Sequence, residues 1–182
     1  VRQFFYASFA DLYWRAMMRS GDATLAAIAA KSEKESAYHV RHSSEWIVRL
    51  GDGTDESHRR AQEAIDLLWA FTGEMFETCD SERGLIDAGI AVDPAGLRAP
   101  WLKTVSDVVS EATLVLPKND WMQQGGRSGR HSEHLGHLLS ELQSMQRTLP
   151  GATWSLQRST MPICAGVTRS QQSLSPSRVV HR

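Results

Sequence analysis

Between Asp22 and Leu50 the chain runs DATLAAIAAKSEKESAYHVRHSSEWIVRL, without a single glycine or proline. A stretch this long, opening on alanine-rich helix formers, predicts a helix of about seven turns. Everything else must then pack along it. One stripe at spacings of three and four comprises Leu25, Ile28, Ser32, Ser36, His39, Ser43, Trp46 and Leu50. It is apolar at both ends and polar in the middle. A polar belt halfway along a core-facing helix marks a bundle that holds, or once held, a buried polar site. A second stripe (Ala26, Ala30, Ala37, Val40, Ile47) is also apolar, so burial on more than one side is expected.

The flanks extend the helical pattern. Val1 to Arg19 is aromatic-rich and apolar on most faces, with Asp11 as its only acid; such a helix is a buried one. Ser20-Gly21-Asp22 stops it, and Asp22 caps the central helix. After the Gly51-Asp52-Gly53 turn, Thr54 caps a third helix with Asp55 and Glu56 in its first turn, where the helix dipole favours anions. Its stripe is His58, Ala61, Ile65, Leu68, Thr72 and Met75. Residues 77–99 read as irregular with one short helical turn. Pro100 suits the first position of a fourth helix, facing inward through Trp101, Val105, Val108 and Ala112 and ending by Pro117. A glycine-rich loop (118–129) precedes a last helix from about Arg130 to Leu149, which Pro150-Gly151 ends. No strand pattern competes, so the fold class is all-α. Three-residue loops make the first helices antiparallel neighbours.

At 182 residues the chain is long enough for one domain with a real core. Hydrophobic content of 41% and charged content of 23% are ordinary for a globular protein, and a formal net charge of −1 points to neither nucleic acid nor a membrane surface. Two cysteines without paired spacing, Cys79 and Cys164, fit a reduced, cytoplasmic setting. No apolar run approaches the roughly 20 residues of a membrane span. After Trp154 the period is lost and Ser, Arg and Gln dominate, so 155–182 is expected to be a disordered tail behind a 1–154 helical domain. The chain opens at Val1, inside a helical pattern, and so reads as a fragment whose true N-terminus is missing.

Seven histidines in a helical bundle raise the question of metal. Glu35 and His39 are four apart; Asp55 and His58, and His131 and His134, are three apart, so each pair can meet on one face. A di-iron carboxylate bundle, however, takes a Glu from each of two helices and a Glu-x-x-His from each of two more. Here the slot three before His39 is Ser36, and Asp55/His58 occupy a helix's first turn. No metal ligand and no catalytic residue is assigned. Gly125, Gly126 and Gly129, with Arg127 and Arg130, precede a helix in a way that suits phosphate, although the Lys-Ser/Thr of a P-loop is absent.

Two stretches carry a resemblance. EKESAYHVRHSSEWIVRLGDGTDESHRRAQEAIDLLWAFTGEMFE (33–77) and GRHSEHLGHLLSELQSMQRTLPGATW (129–154) resemble the C-subunit family of ring-1,2-phenylacetyl-CoA epoxidases. The match covers residues 1–154 and rests on long motifs, H-x-x-H-S-S-E-W-I-V-R-L-G-D-G-T-x-E-S and H-x-E-H-L-G. The resemblance implies a partial ferritin-like helical bundle whose first helices precede Val1, and a non-catalytic structural subunit of the multicomponent epoxidase. The di-iron site would then lie in the catalytic A subunit, NADPH would act through a reductase subunit, and no cofactor would be bound by this chain. Partners would be the A subunit, the other epoxidase subunits and, within the complex, phenylacetyl-CoA. Arg127 and Arg130 are the candidate coenzyme A contacts. Ser36-x-x-His39 resembles the sister subunit's Glu-x-x-His with its carboxylate gone. The competing expectation is a ferritin-like di-iron oxygenase active in its own right. Without two leading helices, several hundred Å² of apolar surface, about 10 kcal/mol of burial, would be exposed, so the chain alone is expected to be marginally stable.

Overall fold

The computed structural model describes residues 1–118 and 121–152. Its helices are α1 (Arg2–Met17), α2 (Ala23–Gly51), α3 (Asp55–Trp69), α4 (Asp80–Asp87), α5 (Arg98–Glu111), α6 (Glu133–Leu142) and α7 (Ser144–Thr148). Short 3-10 turns lie at Gly73–Phe76, Pro94–Leu97 and Gly126–Ser128. No strand forms among the described residues, so the all-α class holds, in keeping with a ferritin-like bundle. The expected tail lies outside the described residues. None of the described helices is long and apolar enough to cross a membrane.

The described residues divide into two units, residues 1–135 and 136–152. In the first, local chemistry sets the ends of the helices. Asp22 Oδ1 accepts from the N–H groups of Thr24 (2.8 Å) and Leu25 (2.9 Å), satisfying two orphan donors at the start of α2. Thr54 and Ser57 exchange side-chain and backbone hydrogen bonds across the first turn of α3, a capping box in which Ser stands where Glu is common. The α2–α3 turn is tied by His58, whose Nδ1 lies 2.8 Å from the Gly51 carbonyl oxygen. Gly51 is obligatory: a Cβ there would overlap the Ala112 carbonyl oxygen and lie 2.9 Å from the Ala112 Cβ.

α1 lies along α2 in the most extensive contact among the described helices, and α5 packs against both. The core is aromatic. Trp101 is 2% exposed and sits among Phe5, Trp69 and Phe76 at ring-centroid distances of 5.9, 5.8 and 5.2 Å. Its indole N–H donates to the Phe5 carbonyl at 2.9 Å, giving a buried polar atom its partner. Ile47, Ala61, Ile65, Val105 and Val109 complete the cluster.

The structure corrects several expectations. The buried seam of α2 is Ala29, Ser36, Ser43 and Ile47. Leu25, Ile28, Trp46 and Leu50, the apolar ends of the expected stripe, are exposed. α3 stops at Trp69, short of Met75, because Thr72 Oγ1 and the Gln123 N–H take the Trp69 and Ala70 carbonyls at 2.8 Å each. α5 begins at Arg98, since the Pro94–Leu97 turn runs straight into it. Residues 77–99 hold all of α4. The last helix starts at Glu133: the Arg130 N–H donates to the Gly125 carbonyl at 2.7 Å and is held in the loop. In the second unit, α7 follows after one non-helical residue, Gln143.

Candidate functional site

The polar belt of α2 faces α1. Ser32, Glu35, Ser36 and His39 line a cleft of about 190 Å³ against Tyr6 and Trp14. His39 Nε2 is 3.7 Å from Glu35 Oε1, with side chains 43% and 79% exposed. Deeper in the helix, the Ser43 hydroxyl donates to the His39 carbonyl (2.6 Å) and Ser44 to that of Val40 (2.7 Å), so both are satisfied within α2 itself. Opposite them, Asp11 Oδ2 accepts from Arg15 Nε at 2.9 Å, while Arg15 Nη2 reaches Glu33 Oε1 at 3.3 Å. One arginine thus neutralises both acids. Asp11 Oδ1 and Ser8 Oγ, one turn apart on α1, are buried without a protein partner among the described residues.

This donor set does not fit a di-iron centre. Iron of this type takes four carboxylates and two imidazoles from facing helices; the cleft offers Glu35 and His39. Ser36 occupies the slot three before His39, and Asp11 and Glu33 are committed to Arg15. No group of three or more His, Cys, Asp or Glu side chains converges among the described residues. His58 is bound to the Gly51 carbonyl, and His131 and His134 are exposed.

The glycine-rich loop is closed on itself. Gly125 and Gly129 adopt φ of 107° and 84°, conformations that favour glycine. Ser128 and Arg130 donate their N–H groups to the Gly125 carbonyl, and Gly129 donates to that of Gly126. The Gly126 N–H donates to Glu74 Oε1 at 2.6 Å. A carboxylate of the chain itself therefore sits where a phosphate would be cradled. The two candidate arginines part company here. The stem of Arg130 covers Gly125, and Arg130 lines neither cleft. Arg127 turns toward α1, where Tyr6, Phe9, Tyr13, Trp14 and Glu82 join it around a second cleft of about 160 Å³. Its Nη1 donates to Glu82 Oε2 at 2.8 Å. The Cys79 N–H donates to the same oxygen at 2.9 Å. That backbone bond first, then the Cys79 thiol and the Arg127 guanidinium, hold the Glu82 carboxyl below the usual range.

Residues 1–154 match the family described as phenylacetic acid catabolic protein. The chain belongs to that family. Among curated relatives, the C subunit of 1,2-phenylacetyl-CoA epoxidase from Escherichia coli (strain K12) is 45% identical over 154 residues. The aligned part is 85% of this chain and 62% of the relative, so the chain spans less than two-thirds of that protein's length. The resemblance carried by the motifs at 33–77 and 129–154 is thereby shown.

Both clefts lie within the matched region. One of their features escapes a reading of the sequence. The rings of Tyr6, Tyr13 and Trp14 read as core but are only partly covered, because an aromatic-rich helix does not reveal which of its faces is capped. Glu82 carries a local signal, three residues after the Cys79 N-cap, whereas Glu74 carries none, since its partner lies 52 residues away.

Proposed function

We propose that this chain is a non-catalytic structural subunit of a multicomponent phenylacetyl-CoA epoxidase in aerobic phenylacetate breakdown, packing against and supporting the di-iron A subunit. One observation carries the reading: in a chain 45% identical to an epoxidase C subunit, the polar seam has hydroxyls at Ser36 and Ser43 and an arginine across its acids in place of iron ligands. Exposed Leu25, Ile28, Trp46 and Leu50 on α2, with Leu67 and Phe71 near the end of α3, support a protein partner, because rows of exposed apolar side chains on a helical protein mark docking faces. A large helical contact would hold the neighbour's ligand-bearing helices in register.

On this reading the other epoxidase subunits join the assembly, NADPH acts through the reductase subunit, and the setting is cytoplasmic, without nucleic acid or membrane. Arg127 and Arg130 are the residues to test for coenzyme A contact. The deciding experiment is co-expression with the A subunit followed by size-exclusion chromatography at micromolar concentration. Co-elution is expected, and separate elution rejects the reading. The alternative, a di-iron oxygenase active in its own right, predicts about two irons per chain by metal analysis; the seam's donor set predicts none.

A further inference from the structure

We infer that the outward face of α2 pairs with the same face of a second copy of this chain, the two helices running antiparallel about a two-fold axis at Tyr38. α2 is the longest helix among the described residues and holds no proline between Ala23 and Gly51. α1, α3 and α5 pack along one side of it. On the other side Ile28, Tyr38 and Trp46 are 48%, 52% and 48% exposed. His42 stands between the two large rings, with Arg41 over Tyr38 and Arg49 over Trp46. Rings and arginines presented together are the composition that anchors protein interfaces.

Charge decides what covers this face. Lys31 lies two helical turns before Tyr38 and Glu45 two turns after it, a heptad spacing that returns each side chain to the same stripe. Both are exposed, and neither has an ion-pair partner among the described residues. In an antiparallel pair centred on Tyr38, each Lys31 stands opposite the second copy's Glu45, and symmetry makes the contact twice. The same operation sets Tyr38 against Tyr38 and carries Ile28 toward the second copy's Trp46, covering the apolar ends. A parallel pair would set Lys31 on Lys31 and Glu45 on Glu45, so the charges select direction as well as partner. From Ile28 to Arg49 the stripe runs about 30 Å at a helical rise of about 1.5 Å per residue. One helix pair of that length is a small interface, which makes the dimer a concentration-dependent one. The A subunit, where present, competes for α2. The pairing itself needs neither that subunit nor iron, so its failure leaves the structural role proposed above standing.

Sedimentation equilibrium of the full chain, from micromolar concentration upward, is the test. A reversible monomer–dimer equilibrium is expected. Lys31→Glu and Glu45→Lys, both at exposed positions, should each weaken it about tenfold, since each sets like charges opposite one another twice. The double variant Lys31→Glu/Glu45→Lys restores the pair with its signs exchanged, and should return to within about twofold of the parent. Circular dichroism of the same samples, with helix content equal to the parent's, separates loss of pairing from loss of fold. A chain that stays monomeric at every concentration overturns the inference. So does a double variant weaker than either single one, because on a face docked elsewhere the two losses would simply add.

Discussion

Trp101 shows how one side chain joins elements far apart in sequence. It is buried, T-shaped or stacked against three rings, and bonded through its N–H to α1. Trp101→Phe keeps most of the ring contact but loses the hydrogen bond and part of the volume, at a cost of about 1–3 kcal/mol. Trp101→Ala should cost about 3–5 kcal/mol; urea unfolding of both variants measures the difference. Thr113 makes the opposite prediction. It ends α5 at φ 59°, the left-handed region, where a β-branched residue is strained by about 1–2 kcal/mol. Its hydroxyl gains only a 3.5 Å contact with the Gly51 carbonyl. Thr113→Gly relieves the strain and adds some unfolded-state entropy, so a net stabilisation of about 0.5–1 kcal/mol is expected in the same assay.

At the scale of elements, α4 shows how a short helix is held. Eight residues are too few to be stable alone; the capping box and the Glu82–Arg127 pair fasten it to the glycine-rich loop. Because the folded-state pKa of Glu82 lies below its ordinary 4.5, the unfolded chain binds a proton more readily than the folded one. The stabilisation is therefore complete above about pH 4.5 and is lost as pH falls through the lowered folded value. Glu82→Gln should be less stable than the parent at neutral pH, and the gap should close in acid, as pH falls through the lowered folded value. Denaturant midpoints followed from neutral pH into acid check this; a gap that persists in acid would assign the effect to packing. α2 shows the reverse case, a helix whose ends are set by its own residues but whose orientation is not. Its seam runs through Ala29, Ser36 and Ser43, small residues that let α1 approach closely, whereas Trp46 and Tyr38 project outward.

Over the whole molecule, that outward face is the feature with the widest consequence. Tyr38, His42 and Trp46 form a ladder, stacked at 5.9 Å and then edge-on at 6.4 Å, with Arg41 and Arg49 over the Tyr38 and Trp46 rings. Because Trp46 is 48% exposed, Trp46→Glu should shift stability by no more than about 0.5 kcal/mol. It should nevertheless reduce binding of a hydrophobic dye and weaken co-elution with the A subunit. A large loss of stability, with dye binding unchanged, would show that the residue belongs to the core.

The helical class, the α2 boundaries at Asp22 and Gly51, the Thr54 cap and the family were legible in the sequence alone. Caps and turns act within about four residues, and the family motifs are contiguous. That Ser36, not Glu, stands three residues before His39 is read directly from the sequence. Only the tertiary structure decided which side of α2 is buried, where α3 stops, and that Arg127 rather than Arg130 reaches a cleft. Each of these depends on a partner distant along the chain: α1 for the seam, Gln123 for the Ala70 carbonyl, Glu82 for Arg127. Apolar residues recur on several faces of α2, so periodicity alone leaves its orientation open. Burial is settled by what packs against a face, and that is a property of the assembled chain.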